Sequence, residues 1–175
     1  MKIALVALAV VALGACAADS KPGPGTSGNA VPSGSSSSSS SESESASAGP
    51  QTMTVSAVEP AVDTFAFDTG GVDSLSAGDV LVTFKNLGTM DHEVRLVKIN
   101  DGNFSAYRLA VEAGDSLDAL ATEIAKSPAI APGKSSTFGA QLEPGTYALV
   151  CLRTAPGGDT FAAHGMIREL TVTAG

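Results

Sequence analysis

Residues 51–175 predict an all-β sandwich carrying one short helix, and three observations point to it. Short apolar or alternating runs recur along the segment, turn-forming clusters separate them, and about seven such runs suffice for two packed sheets. The runs fall at 52–58, 64–67, 80–86, 92–99, 135–142, 146–152 and 166–172 and read as antiparallel strands. Between them stand "DTGG", "SAGD", "NLGTMD", "NDGN", "APGK", "EPG" and "APGGD". Glycine there supplies positive φ, proline presets φ, and Asn or Asp bonds its own backbone, as tight turns require.

One stretch departs from the period of two. In "AGDSLDALATEIAKSP", Leu117, Leu120, Ala121 and Ile124 recur at helical spacing, Asp115 or Ser116 can cap the start, and Pro128 follows the end. The short helix is expected there, packed over the sandwich or across one end.

The N-terminal part has a different chemistry. Residues 1–15 carry Lys2, an apolar run from Ile3 to Leu13, and the small residues Gly14 and Ala15, the pattern of a secretory signal peptide too short for a membrane anchor. Leu13, Gly14, Ala15 and Cys16 resemble the lipobox of bacterial lipoproteins, which implies a lipidated Cys16 at the mature N-terminus. More than one acyl chain would hold the protein firmly on a membrane, where a single chain binds only marginally. Residues 16–50 then form a Ser-, Gly- and Pro-rich stretch with seven consecutive serines from Ser35 to Ser41. So few apolar side chains cannot offset the entropy of ordering, so this segment is expected to be a disordered tether. The expected product is exported and lipid-anchored to the bacterial cell membrane, facing the periplasm or the outside.

Charge narrows the partners. With 18 Asp and Glu against 10 Lys and Arg, the formal net charge is −8. This balance argues against nucleic acid or an anionic lipid face as the surface that the folded domain recognises.

The chain has 2 cysteines and 2 histidines. If Cys16 is lipidated, Cys151 has no partner for an intramolecular disulfide, although exported proteins normally form them. Burial, metal binding or redox chemistry is then left to account for it. His92 shares the parity of Val94 and Leu96, which points it inward at the start of a strand, as a hydrogen-bonded core histidine or as a ligand. Cys151 closes "GTYALVC", where both parities are apolar; this reads as a central strand covered on both sides and leaves the direction of Cys151 open. His164 and Met166 are two residues apart, hence on one side of an extended chain. Each of the four residues alone has an ordinary structural reading. Together, a thiolate, imidazoles and a thioether are the donors that select copper.

The segments "GDVLVTFKNLGTMDHEV", "APGKSSTFGAQLEPGTYALVC" and "GMIRELTV" resemble the cupredoxins, the plastocyanin-like blue-copper domains, over most of residues 79–172. The resemblance implies a Greek-key sandwich, one copper ion and single-electron exchange with a redox protein partner. His92, Cys151 and Met166 match the family's first histidine, its cysteine and its axial methionine. The second histidine commonly stands five residues before the methionine, and that position here is Phe161. His164 is the substitute the sequence offers, in a longer loop made pliable by Gly157 and Gly158. Two functions are therefore expected in competition: a tethered copper protein with His92, Cys151, His164 and Met166 as ligands, or an envelope binding or structural module without a working metal site; a copper chaperone or buffer using the same residues for Cu(I) is a third, lesser reading. An enzyme is not expected, because the two histidines leave no nucleophile and base pairing to place.

Overall fold

The structure, a computed structural model, describes residues 49–175. The signal peptide, Cys16 and all of the tether but Gly49 and Pro50 lie outside the described residues. Nine strands and one helix form two facing sheets. The first sheet orders β2 (Thr64–Asp68), β1 (Gln51–Ala61), β4 (Gly78–Asn86) and β7 (Ser135–Leu142). The second orders β3 (Ser74–Ser76), β9 (Ile167–Thr173), β8 (Gly145–Val150), β5 (Arg95–Ile99) and β6 (Ala121–Lys126). The sandwich is mixed rather than antiparallel throughout: β1 pairs parallel with β4, and β3 with β9. The expectation of antiparallel strands fails at these two pairs because parallel partners are distant in sequence, where turn signals are silent.

Alternation builds the layers. In β4, Val80, Val82, Phe84 and Asn86 are buried while Leu81 and Lys85 face outward. The side chains of one parity meet Leu96, Tyr147, Leu149, Leu170 and Val172 of the opposite sheet in one continuous core. A second core lies on the outer side of the five-stranded sheet, where Val97, Ile99, Ala148 and Val150 pack against Tyr107 and Val111.

Those last two residues belong to α1 (Phe104–Ala113), the only helix among the described residues, and it is not the one expected. Asn103 caps it by accepting the Ala106 N–H at 3.0 Å, and Gly114 ends it with φ of 71°. The segment expected to be helical instead makes a turn, with Leu120 N–H donating to the Leu117 carbonyl at 3.0 Å, and then strand β6. The edge of β5 offers it a ladder from Ala121 to Lys126, and Leu117, Leu120 and Ala121 still reach the second core. Tertiary pairing thus overrides a helical spacing that a turn followed by a strand also satisfies.

Strand direction gives the sandwich two distinct ends. At one end β1 starts at Gln51, β4 at Gly78 and β8 at Gly145, and β9 finishes at Thr173. The other end gathers Glu59 of β1, Asn86 of β4, Cys151 just beyond β8 and Met166 just before β9. No helix among the described residues is long and apolar enough to cross a membrane.

Candidate metal centre

Three of the four expected ligands converge on this second end and are excluded from solvent. His92, Cys151 and Met166 each have 0% exposure. His92 stands before β5 rather than inside it, held by a two-way backbone bridge to Ile130, with N–O distances of 3.2 and 2.8 Å. Asn86 ties the same loop down. Its side-chain N–H groups donate to the Met90 carbonyl at 2.7 Å and the Ile130 carbonyl at 2.8 Å, and its Oδ1 accepts the Gly88 N–H at 3.0 Å.

The His92 ring is held by one carboxylate. Glu59 Oε1 lies 3.3 Å from His92 Nε2 and accepts the Thr89 N–H at 2.7 Å, while Oε2 accepts the Thr89 hydroxyl at 2.7 Å. Burial pushes the Glu59 carboxyl up, but the hydrogen bonds from Thr89, His92 and Met90 outweigh it and hold the group below its ordinary value. An ionised Glu59 favours the tautomer with the proton on Nε2. This leaves a lone pair on Nδ1, and Nδ1 is buried with no hydrogen-bond partner. Burial also holds the His92 pKa below its ordinary value, with Glu59 only partly compensating, so the ring is neutral.

Cys151 faces the sandwich core, on the side of Tyr147 and Leu149, because α1 occupies the other face of β8. Its N–H donates to the Met166 carbonyl at 3.1 Å, and its carbonyl accepts the Ala162 N–H at 3.0 Å, so the two ends of the 151–166 loop are joined directly. Burial raises the thiol pKa, and the backbone N–H groups of Glu93 and Arg153 offset this only in part. The Arg153 Nε is also buried without a partner. Of the four such side-chain atoms among the described residues, three belong to this end: His92 Nδ1, Arg153 Nε and His164 Nε2. Buried polar atoms are normally paired, so the unpartnered His92 Nδ1 is open to a ligand, whereas Arg153 Nε has no lone pair to give.

His164 does not join the other three. Its side chain is 31% exposed, and its Nε2 lies 4.0 Å from Asp159 Oδ2, beyond hydrogen-bond distance. Its ring meets Phe65 edge-on at 6.2 Å, and among the described residues no ring contact joins it to His92. Phe161 fills the space instead. Only 3% exposed, it packs edge-on against His92 at 4.5 Å and Phe65 at 4.7 Å. The backbone fixes this arrangement. The Phe161 N–H donates to the Arg153 carbonyl at 2.9 Å, and the Phe161 carbonyl accepts the N–H groups of His164 at 3.1 Å and Met166 at 3.0 Å.

Among the described residues no group of three His, Cys, Asp or Glu side chains stands ready for a metal. The donors present are one imidazole nitrogen with a free lone pair, one thiol and one thioether. They fit copper as a soft three-donor set and do not supply the second imidazole of a four-ligand blue site. Reasoning from the sequence missed Glu59 and Phe65. The only signal for Glu59 was a single acid near the end of β1, in "VSAVEPAV".

Fold and site together define the class: a cupredoxin-like sandwich with His, Cys and Met brought to one end. Solved structures similar to the chain include auracyanins and rusticyanins. Auracyanin A, a "blue" copper protein from Chloroflexus aurantiacus, is 26% identical, with 71% of this chain and 100% of that one covered and a TM-score of 0.47. An auracyanin from Roseiflexus castenholzii is 24% identical over 70% and 97% of the two chains, with a TM-score of 0.48. Rusticyanin from Thiobacillus ferrooxidans is 22% identical over 70% and 76%, with a TM-score of 0.49. No protein-family model and no curated protein matches the chain.

Proposed function

We propose that this protein is a membrane-tethered copper protein whose domain holds one copper ion through His92, Cys151 and Met166 and exchanges single electrons with a redox protein partner. The observation that carries this reading is the buried, unpartnered His92 Nδ1, with its tautomer set by Glu59, at the same end of the sandwich as Cys151 and Met166. A carboxylate holding the far nitrogen of an imidazole is the usual support behind a metal-ligating histidine. A bound copper would supply a one-electron couple. The protein's own contribution is to hold the donors and exclude water. The lipobox-like residues up to Cys16 support the tether, and the protein acts as a carrier rather than a catalyst.

Binding to the folded state alone raises stability by mass action. The full-length protein should therefore melt at a higher temperature when copper is added, and Cys151→Ser should remove the rise. A wild-type melting curve indifferent to both Cu(I) and Cu(II) would sink the copper reading. The second reading would then stand: a metal-free envelope binding module, favoured by the packing of Phe161 on His92 at 4.5 Å.

A further inference from the structure

The side chain in the expected second-histidine position points to a property of the site beyond copper binding itself. Phe161 has no donor atom, is 3% exposed, and touches the rings of both His92 and Phe65. Its N–H and carbonyl make three backbone hydrogen bonds that bind it to Arg153, His164 and Met166. The His164 ring lies edge-on to Phe65 at 6.2 Å, and the His164 carbonyl accepts the Phe65 N–H at 3.1 Å. The next residue, Gly165, has φ of 103° and passes so near Phe65 that an added Cβ would sit 2.8 Å from its carbonyl oxygen. Moving His164 to the copper donors would therefore require displacing a buried ring and a tightly packed backbone together.

Resting on the copper reading above, we infer that Phe161 is a specificity-determining residue that makes the site prefer Cu(I) to Cu(II). Thiolate and thioether donors are soft and suit the cuprous ion, whereas Cu(II) gains most from additional nitrogen or oxygen ligands. A buried phenyl ring at the fourth position denies Cu(II) that gain and keeps water from substituting for it. The cuprous ion loses nothing it needs. Relative stabilisation of Cu(I) raises the reduction potential of a bound copper, so the carrier rests reduced.

The test compares the affinities of the full-length protein for Cu(I), by competition with a chromophoric chelator under reducing conditions, and for Cu(II), by anaerobic titration followed by visible absorption. The wild type should bind one Cu(I) tightly and Cu(II) only weakly, without the intense thiolate-to-copper band of a site with two imidazoles. Phe161→His should gain that band, and its preference for Cu(I) should fall by roughly tenfold or more, equivalent to a potential lower by about 59 mV per factor of ten. Should Phe161→His fail to fold by circular dichroism, Phe161→Ala with added imidazole replaces it, and the band should appear only when imidazole is present.

An intense band in the wild type that His164→Ala abolishes would overturn the inference, because His164 would then be the second imidazole. It is equally overturned if the wild type binds Cu(I) but a folded Phe161 variant supplied with imidazole gains no band. Failure of the wild type to bind either ion would instead refute the copper reading on which the inference rests.

Discussion

His92 and Glu59 make the donor end sensitive to acid. The unfolded chain protonates a histidine near its ordinary value of 6.5, while the buried ring in the folded protein resists protonation to lower pH. The unfolded state therefore binds more protons below 6.5, and the contribution of His92 to stability is present above that pH and lost as pH falls. Glu59 acts in the same direction lower down. Its folded pKa lies below the ordinary 4.5, so its contribution is present above 4.5 and disappears as pH falls through the depressed value. Melting temperature of the metal-free protein should drop between about pH 7.5 and pH 5.5, and His92→Gln should flatten that part of the curve. An unchanged slope in the variant would count against burial of a neutral ring. Cys151 gives a second expectation at this scale. A fully buried thiol with a raised pKa is a poor nucleophile, so it should react with an aromatic disulfide reagent far more slowly in the native metal-free protein than in denaturant. Equal rates would place the thiol at the surface.

At the scale of elements, the link between β4 and the His92 loop is one side chain. Asn86 is fully buried and satisfies two carbonyls and one N–H from three different residues. Asn86→Ala should cost about 2 kcal/mol in denaturant unfolding, because the half-buried Met90 carbonyl would lose its donor and the buried Ile130 carbonyl would keep only the His92 N–H. A loss under about 1 kcal/mol would mean that water takes over those bonds. The elements also show what the sequence makes legible and what it conceals. Alternation in "GDVLVTFKN" exposes β4 directly, and the parity of His92 with Val94 and Leu96 gives an inward histidine, because both follow from neighbours two residues apart. The direction of Cys151 is not legible. Both faces of β8 are apolar, one for the sandwich and one for α1, and α1 lies about forty residues earlier in the chain. The helix itself is signalled by Asn103, Gly114 and the spacing of Phe104, Tyr107 and Val111, but the stronger-looking spacing at 117–124 masks it.

For the whole molecule, legibility depends on sequence separation. The sandwich and the approach of His92, Cys151 and Met166 can be read because each strand carries its own alternation and each ligand sits at a strand end. The parallel β1–β4 pair and the contact of Glu59 with His92 join segments without any local signal. Phe161 is visible in the sequence as a departure from the family pattern, but only packing shows that it fills the position while His164 remains outside. The N-terminal pattern yields a prediction on this scale too. Cys16→Ser should move the protein from the membrane fraction to the soluble fraction of a bacterial host, because the apolar run of 1–15 is too short to anchor it alone. Persistent membrane association of a processed variant would rule out the lipid as the anchor.

The opposed ends of the sandwich give the molecule a direction. Gln51, bonded through its side chain to both backbone groups of Ser76 at 2.8 and 3.0 Å, opens β1 at the end remote from Cys151. The first strand of the fold thus begins at one pole, while His92, Cys151 and Met166 stand at the other. Under the copper proposal electrons would cross at that second pole, and substitutions around Gln51 would leave its surface unchanged.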